Sequence, residues 1–174
     1  VMNATGPWAP GVARLVGANA RIRPGKGVHL TLDRRISNIG IATDAIDGRA
    51  IFINPHENTS IIGTTDDDYY GDLDDIPITQ DEVEYLLQGI ERILPAVRKA
   101  RILRAWAGVR PTLYSWRVKE ENLSRDHKII DHEKSDGIKG LFSIIGGKLA
   151  SYRLMAEEAS DLICAKLGIK APCK

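Results

Sequence analysis

Residues 144–159 read IIGGKLASYRLMAEEA, and this stretch decides the fold more than any other. The apolar run at residues 141–145 is typical of a fully buried strand, and two glycines follow it. After Lys148, apolar residues recur at helical spacing as far as Gly168, a usual C-terminal cap. The sequence therefore predicts a strand, a Gly-Gly-Lys turn and a helix in that order.

The turn is a candidate anion site, because a helix N-terminus presents unpaired N–H groups and the positive end of the helix dipole. Its glycines, Gly146 and Gly147, are expected to let a ligand approach the backbone. A P-loop is excluded, since Gly140 and Gly146 stand one residue too far apart and Leu149 occupies the Ser/Thr position. The alternative is a tight turn with a solvent-exposed Lys148.

The first third of the chain is rich in short β-type runs separated by Asp, Asn, Gly and Pro, which predicts an antiparallel meander. These runs lie at residues 28–32, 38–43, 50–54 and 60–64. Residues 79–82 have the form of a capping box and precede an amphipathic helix that ends before Pro95. Further strands are predicted at residues 101–109 and 128–132, so the fold class is α+β.

Three side chains stand out as possible ligand-binding groups. Arg110 lies at the end of an apolar strand, where a guanidinium needs an anionic partner, and Arg125 is a second such group. His29 alternates out of phase with Val28 and Leu30, so its imidazole is expected to point away from an apolar face. Taken singly, each Arg also fits a structural ion pair, and His29 fits a satisfied histidine of the surface or core.

Composition excludes several classes of protein. Lys plus Arg (24) nearly balances Asp plus Glu (23), which argues against nucleic-acid binding, and no apolar run is long enough to span a membrane. Cys164 and Cys173 match neither a metal-ligand spacing nor a disulfide framework, which indicates a reducing, cytoplasmic compartment. The acidic stretch at residues 66–75 lacks the ligand pattern of a calcium loop, so no metal site is predicted.

Seven segments in order resemble the FAD-dependent glycerol-3-phosphate dehydrogenases, members of the D-amino-acid-oxidase-like flavoproteins. The segments are NATGPWA (3–9), KGVHL (26–30), IIGTTD (61–66), ITQDEVEYLL (78–87), WAGVRP (106–111), SRDHKI (124–129) and IIGGKLASYRLMAEEA (144–159). Residues 101–112 and 162–174 look most similar to the anaerobic members, in their flavoprotein A subunit. The resemblance covers essentially the whole chain.

The resemblance implies an antiparallel or mixed substrate-domain sheet with a capping helix, plus the C-terminal strands and helix of a Rossmann-type FAD domain. Residues 1–13 and 108–174 would belong to the FAD domain, and residues 14–107 to the substrate domain. The family oxidises sn-glycerol 3-phosphate to dihydroxyacetone phosphate by hydride transfer to flavin, and its electrons pass to quinone.

The resemblance also implies residue roles. Arg110 and Arg125 would bind the substrate phosphate. Lys148 would lie between the flavin and the substrate, and His29 would contact the substrate and is a candidate base, although anaerobic relatives can lack it. The implied cofactor contacts are Thr5, Gly6, Gly146, Gly147, Lys148 and Leu149. The family's usual GGKLTTYR reads GGKLASYR here, so one hydroxyl is missing.

The chain contains no Gly-x-Gly-x-x-Gly for the FAD pyrophosphate. It is therefore expected to be a C-terminal fragment that is inactive alone, with most of the FAD site in the N-terminal half. The resemblance implies electron-transfer subunits as partners, which would hold a cytoplasmic protein at the inner face of the membrane. Two alternatives stay open: an amine- or amino-acid-oxidising flavoprotein of the same superfamily, and a non-catalytic anion-binding module.

Overall fold

The computed structural model describes residues 1–115, 126–171 and 173, which form two compact units. One unit is Gly25–Val109, and the other combines Val1–Pro24 with Arg110–Lys174. The domain boundaries expected after residues 13 and 107, and the assignment of either part to flavin or substrate, stay predictions.

The described residues contain nine strands and four α-helices, joined by short 3₁₀ turns. In chain order these are β1 (Met2–Asn3), α1 (Ala9–Arg14), β2 (Ile22–Leu32), β3 (Ile41–Asp44), β4 (Ala50–His56), β5 (Thr59–Gly63), β6 (Asp67–Asp68), α2 (Gln80–Glu91), β7 (Ile102–Leu113), β8 (His127–Asp131), α3 (His132–Asp136), β9 (Phe142–Gly146) and α4 (Tyr152–Leu167). The predicted α+β class is confirmed.

A six-stranded sheet forms the centre of the Gly25–Val109 unit. Its order is β3-β4-β5-β2-β6, and β7 also pairs with β2. The pairs β3–β4, β4–β5, β2–β5 and β2–β6 are all antiparallel, as predicted. The predicted meander is confirmed only for β3, β4 and β5, because β2 lies next to β5 in the sheet and not next to β3.

Helix α2 covers this sheet with the apolar face that the sequence predicts. Leu86 and Ile90 are fully buried and belong to one cluster with Val28, Leu30 and Ile51 of the sheet. The capping box is confirmed, since the Glu82 N–H donates to the Thr79 hydroxyl and the Thr79 N–H donates to the Glu82 carboxylate. This local signal needs no tertiary information, which is why the sequence places the helix start correctly.

The strand expected at residues 38–43 begins later than predicted, at Ile41. The Ser37 hydroxyl donates to the Ile39 carbonyl and accepts from the Ile39 N–H, so the preceding residues form a turn. A serine side chain that bonds nearby backbone groups competes with strand pairing in this way.

A smaller mixed sheet, ordered β1-β9-β8, belongs to the other unit. β1 pairs with β9 in parallel, and β8 pairs with β9 in antiparallel register. Helix α1 lies against β9 and was not predicted from the sequence; Pro10 stands in its first turn. Proline is favourable in a first helical turn, where its missing N–H has no partner to lose.

The expectation that His132 ends a strand is wrong. β8 stops at Asp131, whose carboxylate accepts the Glu133 N–H and so caps the short helix α3. His132 is the first residue of that helix and is fully buried. A side-chain cap, rather than apolar alternation, decides this boundary.

The predicted C-terminal helix is confirmed. Leu149–Ser151 forms a 3₁₀ turn, α4 follows it, and Gly168 ends the helix in the left-handed conformation with φ 69°. Among the described residues, none of the helices has the length and apolar character needed to span a membrane.

Candidate active site

The turn after β9 has a backbone shape that glycine adopts far more readily than other residues. Gly146 has φ 76° and Gly147 has φ 82°. A Cβ on Gly146 would lie 2.3 Å from the Asp126 carbonyl oxygen, and one on Gly147 would lie 2.5 Å from Met155 Sδ. The protein's own packing therefore explains these glycines, whereas the sequence suggested ligand approach as the reason.

Lys148 follows this turn at the start of the last helical segment. Its N–H donates to the Ser151 hydroxyl at 3.2 Å, and its carbonyl accepts the Ser151 N–H at 2.9 Å. The side chain is exposed. These hydrogen bonds hold the backbone of Lys148, while its ammonium is exposed to solvent. It lies at the N-terminal end of the last helical segment, where the helix dipole favours anions.

A cavity of about 250 Å³ joins this turn to the end of β7. Of the described residues, those that line it include two cations and no carboxylate. They are Arg110, Pro111, Thr112, Gly146, Gly147, Lys148 and Leu149. Two positive side chains on one small cavity favour an anionic ligand, and a planar guanidinium can engage two oxygens of a phosphate or carboxylate.

A larger groove of about 550 Å³ shares the same turn and runs along α4. Its walls are mostly apolar, and within the described part of the chain Lys148 is its one charged lining residue. The lining residues are Met2, Ala4, Ile144, Gly146, Gly147, Lys148, Leu149, Tyr152, Met155, Ala156, Ala159, Ser160 and Ile163. The groove therefore suits an apolar or planar ligand with a polar edge near Lys148.

His29 lies in the Gly25–Val109 unit, on β2. Its imidazole stacks on the Trp106 indole with centroids 4.2 Å apart and planes 6° from parallel, and Phe52 lies 5.8 Å away. Gly63 is its cross-strand partner, and a Cβ there would lie 2.2 Å from His29 Cδ2. The half-buried ring occupies the space left by that missing side chain.

The orientation predicted for His29 is confirmed, because Val28 and Leu30 are fully buried while His29 is partly exposed. Its ring partners Trp106 and Phe52 were not predicted, since no local pattern links residues so distant in sequence.

The structure brings together five of the predicted site residues: Arg110, Gly146, Gly147, Lys148 and Leu149 all line the smaller cavity. Thr5 and Gly6 line neither cavity, although the preceding Ala4 lines the groove. Arg125 lies outside the described residues. The roles of all these residues stay predictions.

Several groove residues were not named as site residues from the sequence. Tyr152, Met155, Ala159 and Ile163 line it, and their helical spacing was recognised only as an apolar helix face. The signal was therefore present, but an apolar face is more often core than binding surface.

The acidic stretch contributes to structure in the Gly25–Val109 unit. Asp67 accepts from Arg49 at 2.8 Å, and Arg49 also pairs with Asp47 at 2.7 Å. Within residues 1–115, 126–171 and 173, no group of three His, Cys, Asp or Glu side chains is arranged to hold a metal ion.

Relatives of known function match the chain over nearly its full length. It is 37% identical over 177 residues to the A1 subunit of the anaerobic glycerol-3-phosphate dehydrogenase of Haloferax volcanii, covering 100% of this chain and 30% of the relative. It is 40% identical over 175 residues to the A subunit of the anaerobic enzyme of Escherichia coli K12, covering 99% of this chain and 32% of the relative. The chain thus spans about a third of the length of these relatives.

A solved structure and a family model agree with these similarities. The glycerol-3-phosphate dehydrogenase of Bacillus halodurans, solved in complex with FAD, superimposes with a TM-score of 0.83 at 31% identity, over 100% of this chain and 33% of that one. The family model described as FAD dependent oxidoreductase (DAO) matches residues 1–152. The chain therefore belongs to the DAO family of FAD-dependent oxidoreductases.

Proposed function

We propose that this chain is part of an FAD-dependent dehydrogenase that oxidises sn-glycerol 3-phosphate to dihydroxyacetone phosphate. The observation that carries the proposal is the placement of Arg110 and Lys148 on one cavity of about 250 Å³. The similarity to enzymes named for this substrate supports it.

The residues present fit a flavin. The groove of about 550 Å³ offers apolar walls for a planar ring system, and Lys148 at its edge suits the negative charge that a flavin gains on reduction. Gly146, Gly147 and Leu149 line the same region. Bound FAD would supply the hydride acceptor. The pyrophosphate and adenosine would be held by residues outside this chain, because no Gly-x-Gly-x-x-Gly occurs in it.

The remaining roles fall to side chains of this chain. Arg110 binds and orients the substrate phosphate, and Arg125 is its proposed partner, since a dianion with three oxygens is matched better by two guanidiniums than by one. Lys148 provides positive charge at the reacting end. His29 contacts the substrate, where its imidazole can accept or donate a proton.

The proposed electron acceptor is a quinone, reached through partner subunits. Two relatives are named as subunits of an anaerobic enzyme, which supports an assembly of this kind. The proposed location is therefore the cytoplasmic face of the membrane, with attachment through those partners.

Replacing Arg110 by alanine tests the substrate. Each charge-assisted contact is worth about 1.5 to 3 kcal/mol, so kcat/KM for glycerol 3-phosphate in the full-length enzyme should fall roughly 10- to 150-fold. Activity toward unphosphorylated glycerol should hardly change. Arg110→Lys should recover only part of the loss, because an ammonium lacks the planar fork.

Arg104→Ala is the matched control, since Arg104 lies on the same strand but does not line the cavity. It should leave both activities near the wild-type level. An equal proportional loss for glycerol and glycerol 3-phosphate in Arg110→Ala would show that Arg110 supports the fold and does not recognise phosphate.

Substitution of Gly63 tests the placement of His29. A Cβ at residue 63 would lie 2.2 Å from His29 Cδ2, so Gly63→Ala should displace the imidazole from its stack on Trp106. In steady-state kinetics, kcat/KM for glycerol 3-phosphate should fall to the level of His29→Ala.

Gly11→Ala serves as the control, because a Cβ at that position meets no atom within 4 Å. Thermal unfolding of each variant separates a local displacement from loss of fold. Normal kinetics in Gly63→Ala, alongside an impaired His29→Ala, would mean that the stack on Trp106 does not set the position of the ring.

A further inference from the structure

Three fully or almost fully buried polar side chains lie in the unit that carries the Gly146–Gly147 turn. They are Asn3, His132 and Ser143, exposed by 2%, 0% and 0%. Burial of polar groups is costly unless each finds a hydrogen-bond partner. Hydrogen bonds join these three side chains to one another and to neighbouring residues.

The contacts form one continuous chain. His132 Nδ1 lies 2.6 Å from the Asp136 carboxylate, and His132 Nε2 lies 2.8 Å from Ser143 Oγ. Asn3 Nδ2 donates to the same Ser143 oxygen at 3.1 Å and to the Ala9 carbonyl at 3.0 Å. Asn3 thereby connects a carboxylate-imidazole-hydroxyl series to the first strand.

The ionised Asp136 carboxylate can only accept, so His132 Nδ1 carries a hydrogen and donates it to Asp136. Ser143 Oγ accepts from the Asn3 amide and also shares a hydrogen bond with His132 Nε2. Hydrogen bonds from the Ser135 hydroxyl, the larger cause, and from His132 hold the pKa of Asp136 below its ordinary value. Asp136 is therefore ionised at neutral pH.

The order Asp, His, Ser resembles a hydrolase triad, but this serine cannot act as a nucleophile. Ser143 is fully buried on β9, so no substrate carbonyl can reach its hydroxyl. The chain of contacts instead ends at Thr5. The Thr5 hydroxyl donates to Asn3 Oδ1 at 2.7 Å, and the Thr5 N–H donates to the same oxygen at 3.4 Å.

The backbone alone holds this end of the sheet weakly. β1 has two residues, and its register pairs Asn3 with Ser143. So short a strand gains little from its ladder, and the side-chain contacts of Asn3 add what the backbone lacks. The turn at Thr5 and Gly6 follows directly, and Gly6 takes φ 59°.

We propose that Ser143, His132 and Asp136 are positioning residues that act through Asn3 to hold its neighbours Met2 and Ala4 in the wall of the groove proposed for the flavin. The proposal rests on the proposed function, in which the groove lined by Met2 and Ala4 holds the flavin. The three residues touch neither cofactor nor substrate, and their effect appears in flavin affinity.

The test uses the full-length holoenzyme and measures the dissociation constant of FAD by the fluorescence released with the flavin. Ser143→Ala breaks the chain of contacts and should weaken FAD binding about tenfold, the equivalent of one lost buried hydrogen bond. Asp136→Asn should also weaken FAD binding, but by less. This variant keeps the proposal testable if Ser143→Ala does not fold.

Ser60→Ala is the matched control. Ser60 is likewise a fully buried serine, and its oxygen accepts the Ile36 backbone N–H at 2.9 Å, but it belongs to the Gly25–Val109 unit. Both serine variants should lower the melting temperature. Only Ser143→Ala should change FAD affinity, and equal FAD affinity in the two variants would overturn the proposal.

A double-mutant cycle tests whether Ser143 acts through Asn3, which also accepts from Thr5. Thr5→Val removes the hydroxyl at nearly constant shape, and combining it with Ser143→Ala should weaken FAD binding by less than the product of the single effects. Strictly multiplicative effects would overturn the proposal. FAD affinity is measured without substrate, so a failure of the proposed function shows separately, as holoenzyme whose flavin is not reduced by glycerol 3-phosphate.

Discussion

Lys148→Met in the full-length enzyme is expected to slow reduction of the flavin by glycerol 3-phosphate roughly 10²-fold or more. This is the scale on which one positioned electrostatic group stabilises a transition state. Lys148 lines both the smaller cavity and the larger groove, at the start of a helical segment. Methionine keeps the length of the side chain and removes the charge.

The measurement is anaerobic stopped-flow absorbance of the flavin after mixing with substrate. Lys139→Met is the control, because Lys139 is an exposed lysine of the same unit that lines neither cavity. Unchanged reduction kinetics in Lys148→Met would remove this residue from the mechanism.

Glu82→Ala is expected to destabilise the Gly25–Val109 unit by about 3 to 5 kcal/mol, the usual cost of removing one partner of a buried ion pair. Glu82 accepts from Lys26 Nζ at 2.7 Å and completes the capping box of α2. Lys26 is only 6% exposed, so its ammonium would be left without compensation. Chemical denaturation measures the free energy of unfolding.

Two further variants make this prediction specific. Replacing Glu82 by Gln together with Lys26→Met removes both charges and should recover part of the loss. Glu84 is also on α2, and Glu84→Ala breaks a more exposed pair with Arg98 of the following 3₁₀ turn, so it should cost less. A loss in Glu84→Ala as large as that in Glu82→Ala would show that burial of the pair is not the cause.

The same pair predicts a pH dependence. Burial acts to raise the pKa of Glu82, but hydrogen bonds from Lys26 and from Thr79 outweigh it, so the pKa lies below its ordinary value. The stabilisation is therefore present at pH values above the ordinary pKa of glutamate. It is lost as the pH falls through the lowered pKa of the folded state. Glu82→Gln should flatten the acid limb of the unfolding profile.

Local patterns predicted much of this fold. The capping box at Thr79 and Glu82, the strand before Gly146 and the helix ending at Gly168 each depend on residues close in sequence, and all three are confirmed. Boundaries that depend on one side-chain cap, such as Asp131, were misplaced, because apolar alternation carries no information about a cap.

The candidate site was only partly predictable for the same reason. Motif resemblance indicated Arg110 and Lys148, and the structure places both on one cavity. The contact between Asn3 and Ser143 joins residues 140 positions apart, and the stack of His29 on Trp106 is similarly remote in sequence. Such contacts depend on the packed fold and leave no local periodicity.

The crowding at Gly146 and Gly147 limits how this site can be redesigned. A library that randomises the turn would lose almost every variant at these two positions, since any side chain meets protein atoms there and the backbone disfavours it. Leu149 is 90% exposed and lines both the cavity and the groove. If the cavity binds substrate as proposed, Leu149 and Thr112 are the lining residues at which we expect substitutions to change substrate preference without altering the two glycines.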